Sequence, residues 1–365
     1  MKILVTIPDI EARGGVTSYY SILRKHFFAD IDYFTVGARV HGKEKWRSVK
    51  RLIKDSWNFY KTLKNNYYDI IHLNPSLGFK AVIRDGILLI IAKASGKKVV
   101  VFFHGWDYNC QRVIWRYFVA FFRIIYSRAD AFVVLASEFK NSLESMGFRK
   151  PIYLITTAVA DELFHQADNA PSPQKEKELK GRFNILFLAR IERAKGIYEA
   201  LDAFEILKSK HPFVTLTIAG DGPEFADAKK YSQSHGMEDV NFLGYVIEQA
   251  KQSAFSNADV YLFPSHTEGM PISVLEAMVF GLPVVTRSVG GIRDFFEDGR
   301  MGFVTESLEP EIFAGLVEKL IQDKSLCSKI GHYNRQYAKE NFLASKIAKD
   351  IQEIYTQVLA TAATL

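Results

Sequence analysis

The sequence contains few cysteines and no long apolar run. Its two cysteines, Cys110 and Cys327, match no metal-binding or redox spacing, so we expect free thiols and a reducing compartment. The best internal candidate for a membrane span, residues 86–92, is far too short to cross a bilayer. Lys2 precedes only a short apolar run, so no secretory signal is expected. These absences argue against a disulfide-rich secreted domain and a transmembrane helix, and they predict a cytoplasmic protein.

Motifs for several classes of ligand are also missing. No G-x-G-x-x-G follows the first apolar run, which disfavours a dinucleotide-dependent dehydrogenase. No helix-turn-helix, zinc or aromatic RNA-binding pattern is present, so nucleic acid is not an expected partner. The nine histidines are scattered, and Asp30-Ile-Asp32 lies between a predicted helix and a predicted strand, where we interpret it as a turn. We therefore expect no metal and no cofactor beyond the substrate.

Apolar runs of strand length alternate with helical patterns along the 365 residues. This alternation predicts an α/β protein with parallel sheets, and the length allows two domains, each with its own core. Residues 166–181 are polar and contain two prolines, so we predict a linker there. The predicted domains are residues 1–165 and 182–340. An amphipathic segment, residues 341–365, follows them.

Two glutamates mark the most informative segment, Glu268 to Glu276. A buried-strand pattern, residues 258–264, ends just before Glu268, and ligand sites of open α/β sheets lie at that end of the strands. A helical pattern with Pro271 in its first turn follows and ends at Gly281. Free N–H groups at such a junction favour an anion. One carboxylate could hold sugar hydroxyls and the other ribose hydroxyls. The loop residues assigned to this site are Gly269, Met270, Pro271 and Ile272.

A second strand-to-helix loop carries two cations. Residues 183–189 form an apolar run of strand length, and Arg190 and Lys195 follow it before a helical pattern begins at Ile197. Two fixed cations there could neutralise a diphosphate leaving group as its negative charge grows. Solvated loop charges are the alternative interpretation.

Three further positions follow predicted strands. His104 comes directly after the apolar run 99–103, where it either packs or hydrogen-bonds a sugar hydroxyl. Gly15 belongs to a Gly-Gly pair that opens the first predicted helix, where glycine allows a close approach to a ligand or simply forms a turn. Val246 follows the run 240–244, and its loop is either an ordinary β–α turn or a ligand contact.

The spacing of Glu268 and Glu276, E-x7-E, together with Arg190 and Lys195, resembles the retaining GT-B glycosyltransferases of family four, also called glycosyl transferases group 1. The resemblance implies two Rossmann-like parallel-sheet domains that face each other across a cleft, with a last helix that returns to the first domain. It implies that Arg190 and Lys195 contact the donor diphosphate. Glu268 would position the donor sugar, and Glu276 would hold the ribose.

The same resemblance assigns roles to the three other positions. Gly15 would lie in a loop that closes over the donor, His104 would face the donor sugar, and backbone groups near Val246 would meet the nucleobase. The resemblance also implies a metal-independent transfer with retention of anomeric configuration. We expect the donor to be a nucleotide-sugar, specifically a UDP-hexose.

The first predicted domain is basic. Residues 1–165 carry 25 Lys and Arg against 14 Asp and Glu, whereas the remaining residues carry 22 and 27. On a helix, five basic residues align on one face, flanked by Trp46 and Trp57. This pattern predicts an interfacial helix on anionic lipid, and a solvated helix face is the alternative. The aligned residues are Lys43, Arg47, Lys50, Lys54 and Lys61, and the opposite side carries Val49, Leu52, Phe59 and Leu63.

A second stretch, residues 112–126, aligns three arginines among aromatic residues, and it could present them to the phosphates of a lipid-linked acceptor. We therefore expect a hexosyltransferase that acts on a lipid-linked saccharide or glycan in polysaccharide or glycolipid biosynthesis, peripheral to the inner face of the cell membrane. Two alternatives stay open. One is a GT-B nucleotide-sugar hydrolase or epimerase, and the other is a catalytically silent scaffold that binds saccharide or membrane.

Overall fold

A computed structural model gives the fold of the protein. It describes residues 1–11, 14–37, 47–169 and 181–360. The chain divides into two compact units. The first unit comprises Met1–Ala158 with Ala344–Leu365, and the second comprises Val159–Leu343.

In the first unit, six strands form one parallel sheet in the order β2-β1-β3-β5-β7-β8, and a separate short pair joins β4 to β6. Every residue of β3 and β7 is buried, as expected of parallel strands that are covered on both faces. The elements are β1 (Lys2–Ile7), α1 (Gly15–Leu23), β2 (Asp30–Thr35), α2 (Arg47–Asn65), β3 (Ile70–Leu73), β4 (Ser76–Leu77), α3 (Phe79–Ala94), β5 (Lys98–Phe103), β6 (Gly105–Trp106), α4 (Tyr108–Val113), a π-helical turn (Ile114–Phe118), α5 (Val119–Tyr126), β7 (Ala131–Val134), α6 (Ser137–Ser145) and β8 (Ile152–Leu154).

The second unit contains another six-stranded parallel sheet, in the order β11-β10-β9-β12-β13-β14. The helix α15 that ends the described chain belongs to the first unit. The elements are α7 (Glu162–Asn169), β9 (Phe183–Leu188), a 3-10 turn (Arg193–Lys195), α8 (Ile197–Lys210), β10 (Val214–Ala219), α9 (Phe225–Ser234), β11 (Val240–Gly244), α10 (Glu248–Ser256), β12 (Val260–Phe263), α11 (Ile272–Val279), β13 (Val284–Arg287), α12 (Ile292–Phe295), β14 (Gly302–Thr305), α13 (Pro310–Gln322), α14 (Lys324–Asn341) and α15 (Ala344–Ala360).

The strand order of the second sheet reverses between β9 and β12. These neighbours pair in parallel, with Ile185 opposite Val260 and Leu186 opposite Tyr261. The chain moves outward from β9 to β11 on one side and from β12 to β14 on the other. Because the connections leave in opposite directions, a crevice opens at the carboxyl ends of these two strands, where open α/β sheets bind ligands.

The division between the units falls earlier than the predicted linker at residues 166–181. Helix α7 packs within the second unit, where Phe164 is buried and its carbonyl accepts a hydrogen bond from Arg335. Residues 159–165 therefore fold with the second unit and not with the first. Local composition did not reveal this, because the partners of α7 lie far along the chain, among them Arg335, which is 171 residues after Phe164.

The predicted turn at Asp30-Ile-Asp32 is wrong, because these residues begin strand β2. The carboxylates of Asp30 and Asp32 lie 3.7 and 3.2 Å from the ammonium of Lys2 on the neighbouring strand. Charges at this edge of the sheet therefore pair with each other.

Helix α2 presents basic and aromatic side chains to solvent. Lys50, Lys54 and Lys61 are exposed. Trp57 is 56% exposed, its ring lies 5.7 Å from that of Tyr60, and the Lys61 ammonium lies 5.4 Å from its centroid. Lys43 lies outside the described residues, and so does the side chain of Arg47.

The opposite face of α2 differs from the prediction at one position. Phe59 and Leu63 are buried, as predicted, but Val49 is 65% exposed. Val49, Ile53 and Trp57 follow one another at intervals of one helical turn, and all three are exposed. Helix α2 therefore carries an apolar surface stripe beside its lysines.

The second basic stretch is not one regular helix, since a π-helical turn separates α4 from α5. A π turn adds a residue and rotates the side chains that follow it. Trp115, Phe118 and Phe121 are exposed, whereas Phe122 is buried against Tyr126. Within the described ranges, no helix is long and apolar enough to cross a bilayer.

Candidate functional site

The loops that follow β9 and β12 meet where the strand order reverses. The backbone N–H of His266 donates to the carbonyl of Ala194 at 2.9 Å, which joins the two loops. The ammonium of Lys195 lies 2.7 Å from Oε1 of Glu268. The structure therefore brings together one predicted cation and one predicted carboxylate that are 73 residues apart in sequence.

The carboxylate of Glu268 is fixed by its neighbours. Its side chain is only 9% exposed, and Oε1 accepts hydrogen bonds from Lys195 Nζ and from Ser265 Oγ, each at 2.7 Å. Among the described residues, no hydrogen bond reaches Oε2. An ionised carboxylate accepts hydrogen bonds on both oxygens, so Oε2 can receive one from a hydroxyl of a ligand.

Two glycines hold these loops closely together. Gly196 has φ 78°, and a Cβ added there would lie 2.2 Å from the carbonyl oxygen of Pro264. Gly290 has φ 53°, and its Cβ would lie 2.2 Å from the carbonyl oxygen of Glu268. Only glycine fits both the left-handed backbone and the close approach. Sequence analysis did not assign Gly290, although the dipeptide Gly290-Gly291 after a strand pattern was a visible signal.

Arg190 lies on the same loop as Lys195 but is arranged differently. Its side chain is 68% exposed, and its Nε lies 3.0 Å from Oε1 of Glu192. Among the described residues, no contact joins it to Glu268. The structure therefore places Arg190 on the loop beside the site as a solvent-facing cation whose Nε pairs with Glu192.

Helix α11 begins at the mouth of this loop. It starts at Ile272, so Pro271 is the residue before the helix and not a member of the first turn as predicted. This is a shift of a single position, within the usual variation of helix ends. Met270 and Pro271 are buried, and no described side chain caps the first turn. Uncapped N–H groups at a helix start attract anions.

Glu276 lies further along α11 and faces α10. Its Oε1 lies 2.6 Å from the ammonium of Lys251, and the two side chains line a small surface cavity with Glu248 and Phe255. The sequence predicted one cleft face for both glutamates. The structure gives each glutamate its own lysine partner, and the shared cleft face stays a prediction.

Tyr261 connects the surroundings of the two glutamates. This residue of β12 is fully buried, and its hydroxyl lies 2.8 Å from the carbonyl of Leu188 and 2.7 Å from Ser273 Oγ. Burial raises its pKa well above the usual range, and the charges of Glu268 and Glu276 raise it further. The neutral phenol therefore joins the end of β9 to the first turn of α11 through its two hydrogen bonds, a contact that the sequence did not reveal.

Val246 lies in the loop between β11 and α10. It is half-buried, and α10 starts two residues later at Glu248, which has φ 46°. A non-glycine residue in the left-handed region is uncommon and is often found beside binding sites. The loop thus leads directly into the helix that carries Lys251, the partner of Glu276.

The two remaining predicted positions belong to the first unit. His104 follows β5, where its Nε2 lies 2.8 Å from Oδ1 of Asn74 and its ring stacks on Phe102. Burial lowers the pKa of His104 well below its usual value, and His72 adds to this effect. Gly15 is exposed at the start of α1, and a Cβ there would meet nothing within 4 Å. Packing within the described residues therefore does not require glycine at position 15.

In the part of the chain that the structure describes, no group of three or more His, Cys, Asp or Glu side chains is placed to hold a metal ion. The expectation of metal-independent chemistry stays a prediction.

Two Rossmann-like parallel sheets, with charged loops at the strand-order reversal of the second, define the GT-B class of fold. Residues 168–337 match the family of glycosyl transferases group 1, and residues 24–163 match glycosyltransferase family 4. The chain therefore belongs to the GT-B glycosyltransferases of the family-four type.

Relatives agree with this assignment. A capsular polysaccharide biosynthesis glycosyltransferase, CapM of Staphylococcus aureus, is 28% identical over 60% of this chain and 57% of its own. A D-inositol 3-phosphate glycosyltransferase of Paenarthrobacter aurescens is 30% identical over 51% of this chain and 48% of its own. The matches thus span about half the length of these two relatives.

Solved structures show the same fold. HepE of Anabaena, in complex with UDP-glucose, superposes with a TM-score of 0.76 over 98% of this chain and 100% of its own, at 19% identity. Sucrose-phosphate synthase of Thermosynechococcus elongatus gives a TM-score of 0.78 over 99% of both chains, at 16% identity.

Proposed function

We propose that the protein transfers a hexose from a UDP-sugar to a lipid-linked saccharide or glycan acceptor, with retention of anomeric configuration and without a metal ion. The observation that carries this proposal is the Lys195–Glu268 pair beside an uncapped helix start at the strand-order reversal. It offers a cation and N–H groups to a diphosphate, and a free carboxylate oxygen to a sugar hydroxyl. The UDP-glucose complex of HepE and the capsular polysaccharide role named for CapM support the donor and the acceptor class.

In the proposed reaction, the bond from sugar C1 to the β-phosphate oxygen breaks while a bond from C1 to the acceptor oxygen forms on the same face. The acceptor hydroxyl proton passes to the departing phosphate oxygen. Lys195, Arg190 and the first turn of α11 neutralise the negative charge that grows on the diphosphate. Such groups accelerate the reaction because the charge they oppose is larger in the transition state than in the bound donor.

The donor is positioned by both glutamates. Oε2 of Glu268 accepts from a sugar hydroxyl, while its Oε1 stays bound to Lys195 and Ser265. Glu276 holds the ribose hydroxyls, with Lys251 orienting its carboxylate, and the backbone near Val246 meets the uracil ring. His104 meets a hydroxyl of the sugar, and the backbone at Gly15 approaches the donor phosphate.

A lipid-linked acceptor fits the surface of the first unit. Helix α2 exposes Ile53 and Trp57 beside Lys50 and Lys54, which combines apolar surface with positive charge. We propose that α2 binds an anionic membrane surface, so that the protein is peripheral to the inner face of the cell membrane. Apolar side chains enter the interface, while lysines contact the lipid phosphates.

Product analysis tests the proposed chemistry. UDP-glucose is incubated in EDTA with and without polyprenyl-diphosphate-linked saccharides, and the products are followed by chromatography and proton NMR. We expect UDP release only with acceptor, an α-linked product, and loss of both in Glu268→Gln. UDP release without acceptor would indicate a hydrolase, and conversion of the UDP-sugar without UDP release an epimerase. A β-linked product would contradict retention, and an unchanged donor in every condition would indicate a silent scaffold.

A further inference from the structure

A connected set of buried polar side chains lies beneath His104 in the first unit. His72 and Asn74 belong to β3 and the residues after it, Tyr20 belongs to α1, and Tyr355 belongs to α15. His72 Nδ1 lies 2.5 Å from the Tyr355 hydroxyl, and Tyr20 donates to Asn74 Oδ1 at 2.9 Å. Buried polar groups destabilise a protein unless they are fully hydrogen-bonded. A cluster of this many buried polar side chains therefore points to a functional role.

The orientation of the Asn74 amide follows from its partners. Its Nδ2 donates to the carbonyl of Thr6 at 2.7 Å, so Oδ1 points the other way. The reversed amide would set two oxygen acceptors against each other at that distance. Oδ1 then accepts from the Tyr20 hydroxyl and faces Nε2 of His104 at 2.8 Å.

This orientation determines which nitrogen of His104 carries the proton. A carbonyl oxygen can only accept, so Nε2 must donate to Asn74. In a neutral imidazole the other nitrogen, Nδ1, then has a free lone pair and can only accept. Burial in this aromatic environment keeps the ring neutral, because it lowers the pKa of His104 well below its usual value.

The ring is also held in place by packing. Its centroid lies 3.8 Å from that of Phe102, 5.2 Å from Tyr19 and 5.9 Å from Tyr20. No carboxylate or cation contacts the ring among the described residues. Burial raises the pKa of Tyr19 well above its usual value, and Asp350 of α15 adds to this effect. His72 is itself neutral because burial lowers its pKa to about 3.

We propose that Asn74 is a positioning residue that fixes His104 as the Nε2-protonated tautomer, so that Nδ1 accepts a hydrogen bond from a sugar hydroxyl. The role toward the sugar rests on the proposed function, whereas the tautomer is a property of the protein alone. His104 would otherwise exchange between two tautomers, only one of which presents an acceptor at Nδ1.

Nitrogen NMR of histidine-labelled protein tests the tautomer directly and requires no turnover. His104→Gln identifies the His104 signals by their loss. We expect the wild-type signals to show a protonated Nε2 and an unprotonated Nδ1, unchanged from about pH 5.5 to 8.5. A protonated Nδ1, or titration with a midpoint near the ordinary value of about 6.5, would overturn the proposal.

Variants at Asn74 test its role in setting the tautomer. Asn74→Leu keeps the branching of the side chain but removes the acceptor, so the His104 shifts should move toward a tautomer mixture. Asn74→Asp places a carboxylate beside Nε2, which favours imidazolium and should make His104 titrate in the accessible pH range. Asn241→Leu, at an exposed position of β11, is the control and should leave the His104 signals unchanged. Unaltered His104 shifts in a folded Asn74→Leu protein would contradict the inference.

Kinetics then separate a positioning role from a merely structural one. Asn74→Leu and His104→Gln should each lower kcat/KM for transfer about tenfold, the loss typical of one hydrogen bond. The double variant should be no worse than His104→Gln, because Asn74 acts through that ring. If the losses in kcat/KM of the two single variants add in the double variant, the proposal is overturned. Absence of any transfer would count against the proposed function, while the NMR result on the tautomer would stand.

Discussion

The two units share a six-stranded parallel sheet but differ in the polar side chains that follow their central strands. At the sheet edge of the second unit, ion pairs join Lys195 to Glu268 and Lys251 to Glu276. In the first unit, the side chains that follow β3 and β5, Asn74 and His104, are neutral and hydrogen-bonded to each other. In the proposed reaction, the fixed charges of the second unit face a charged leaving group, and the neutral hydrogen bonds of the first unit serve sugar hydroxyls.

The largest expected effect comes from removing a charge in the second unit. Lys195→Ala should lower kcat for transfer about 100- to 1,000-fold, because the diphosphate loses a fixed cation as its charge develops. Steady-state rates of UDP release with acceptor measure this. Lys210→Ala is the matched control, since Lys210 forms an exposed pair with Glu318 in the same unit and should keep wild-type turnover. Wild-type turnover in a folded Lys195→Ala protein would remove the basis for the proposed site.

A smaller effect is expected from the cations of the first unit. The double variant Lys50→Glu, Lys54→Glu should weaken binding to vesicles of mixed neutral and anionic phospholipid by about tenfold or more, since each lysine near such a surface contributes about 1 kcal/mol. Co-sedimentation in low and high salt measures the change.

A second double variant, which changes the net charge of the protein by the same amount, is the control for vesicle binding. Arg149→Glu, Lys150→Glu alters two exposed residues after α6, away from helix α2 in sequence. Equal loss of vesicle binding in both double variants would show that overall charge, and not the surface of α2, attracts the membrane.

The smallest expected effect concerns the neutral network of the first unit. Burial lowers the pKa of His72 from 6.5 to about 3, so the unfolded chain binds a proton at His72 in this interval and the folded protein does not. The free energy of unfolding should therefore fall as the pH drops from about 6.5 toward 3. His72→Gln should reduce this slope by at most about 1.4 kcal/mol per pH unit. Urea unfolding of both proteins between about pH 4.5 and 8 measures the slope of the free energy of unfolding against pH. If the slope below about pH 6 is the same in His72→Gln as in the wild type, the pKa of His72 is not lowered by folding.

Much of the second unit could be predicted from sequence because its signals are local. The apolar strands, the charges that follow them and the Glu268–Glu276 spacing all lie within short windows, and parallel strands bring such loop residues to one edge. The confirmed parts are the family-four assignment and the GT-B fold. The helix start at Ile272 was missed by one position because helix ends depend on backbone detail that composition does not fix.

The remainder depended on contacts between distant residues. His72 reads as one polar residue inside an apolar strand, and its partner Tyr355 lies 283 residues later, so no local pattern could indicate the network. The same holds for Lys251, which pairs with Glu276 across two helices. Val49 was misplaced because helical periodicity gives the faces of a helix but not how far neighbouring elements cover them.

Calorimetric titration with UDP-glucose in the presence of EDTA tests whether the sheet edge of the second unit holds a nucleotide-sugar donor. We expect saturable binding by the wild-type protein, weakened at least about tenfold in Glu276→Ala, because the ribose loses a charged hydrogen-bond partner. Lys210→Ala should bind like the wild type. Undetectable binding by the folded wild-type protein, or equal affinity in Glu276→Ala, would contradict the assignment of this sheet edge to a nucleotide-sugar donor.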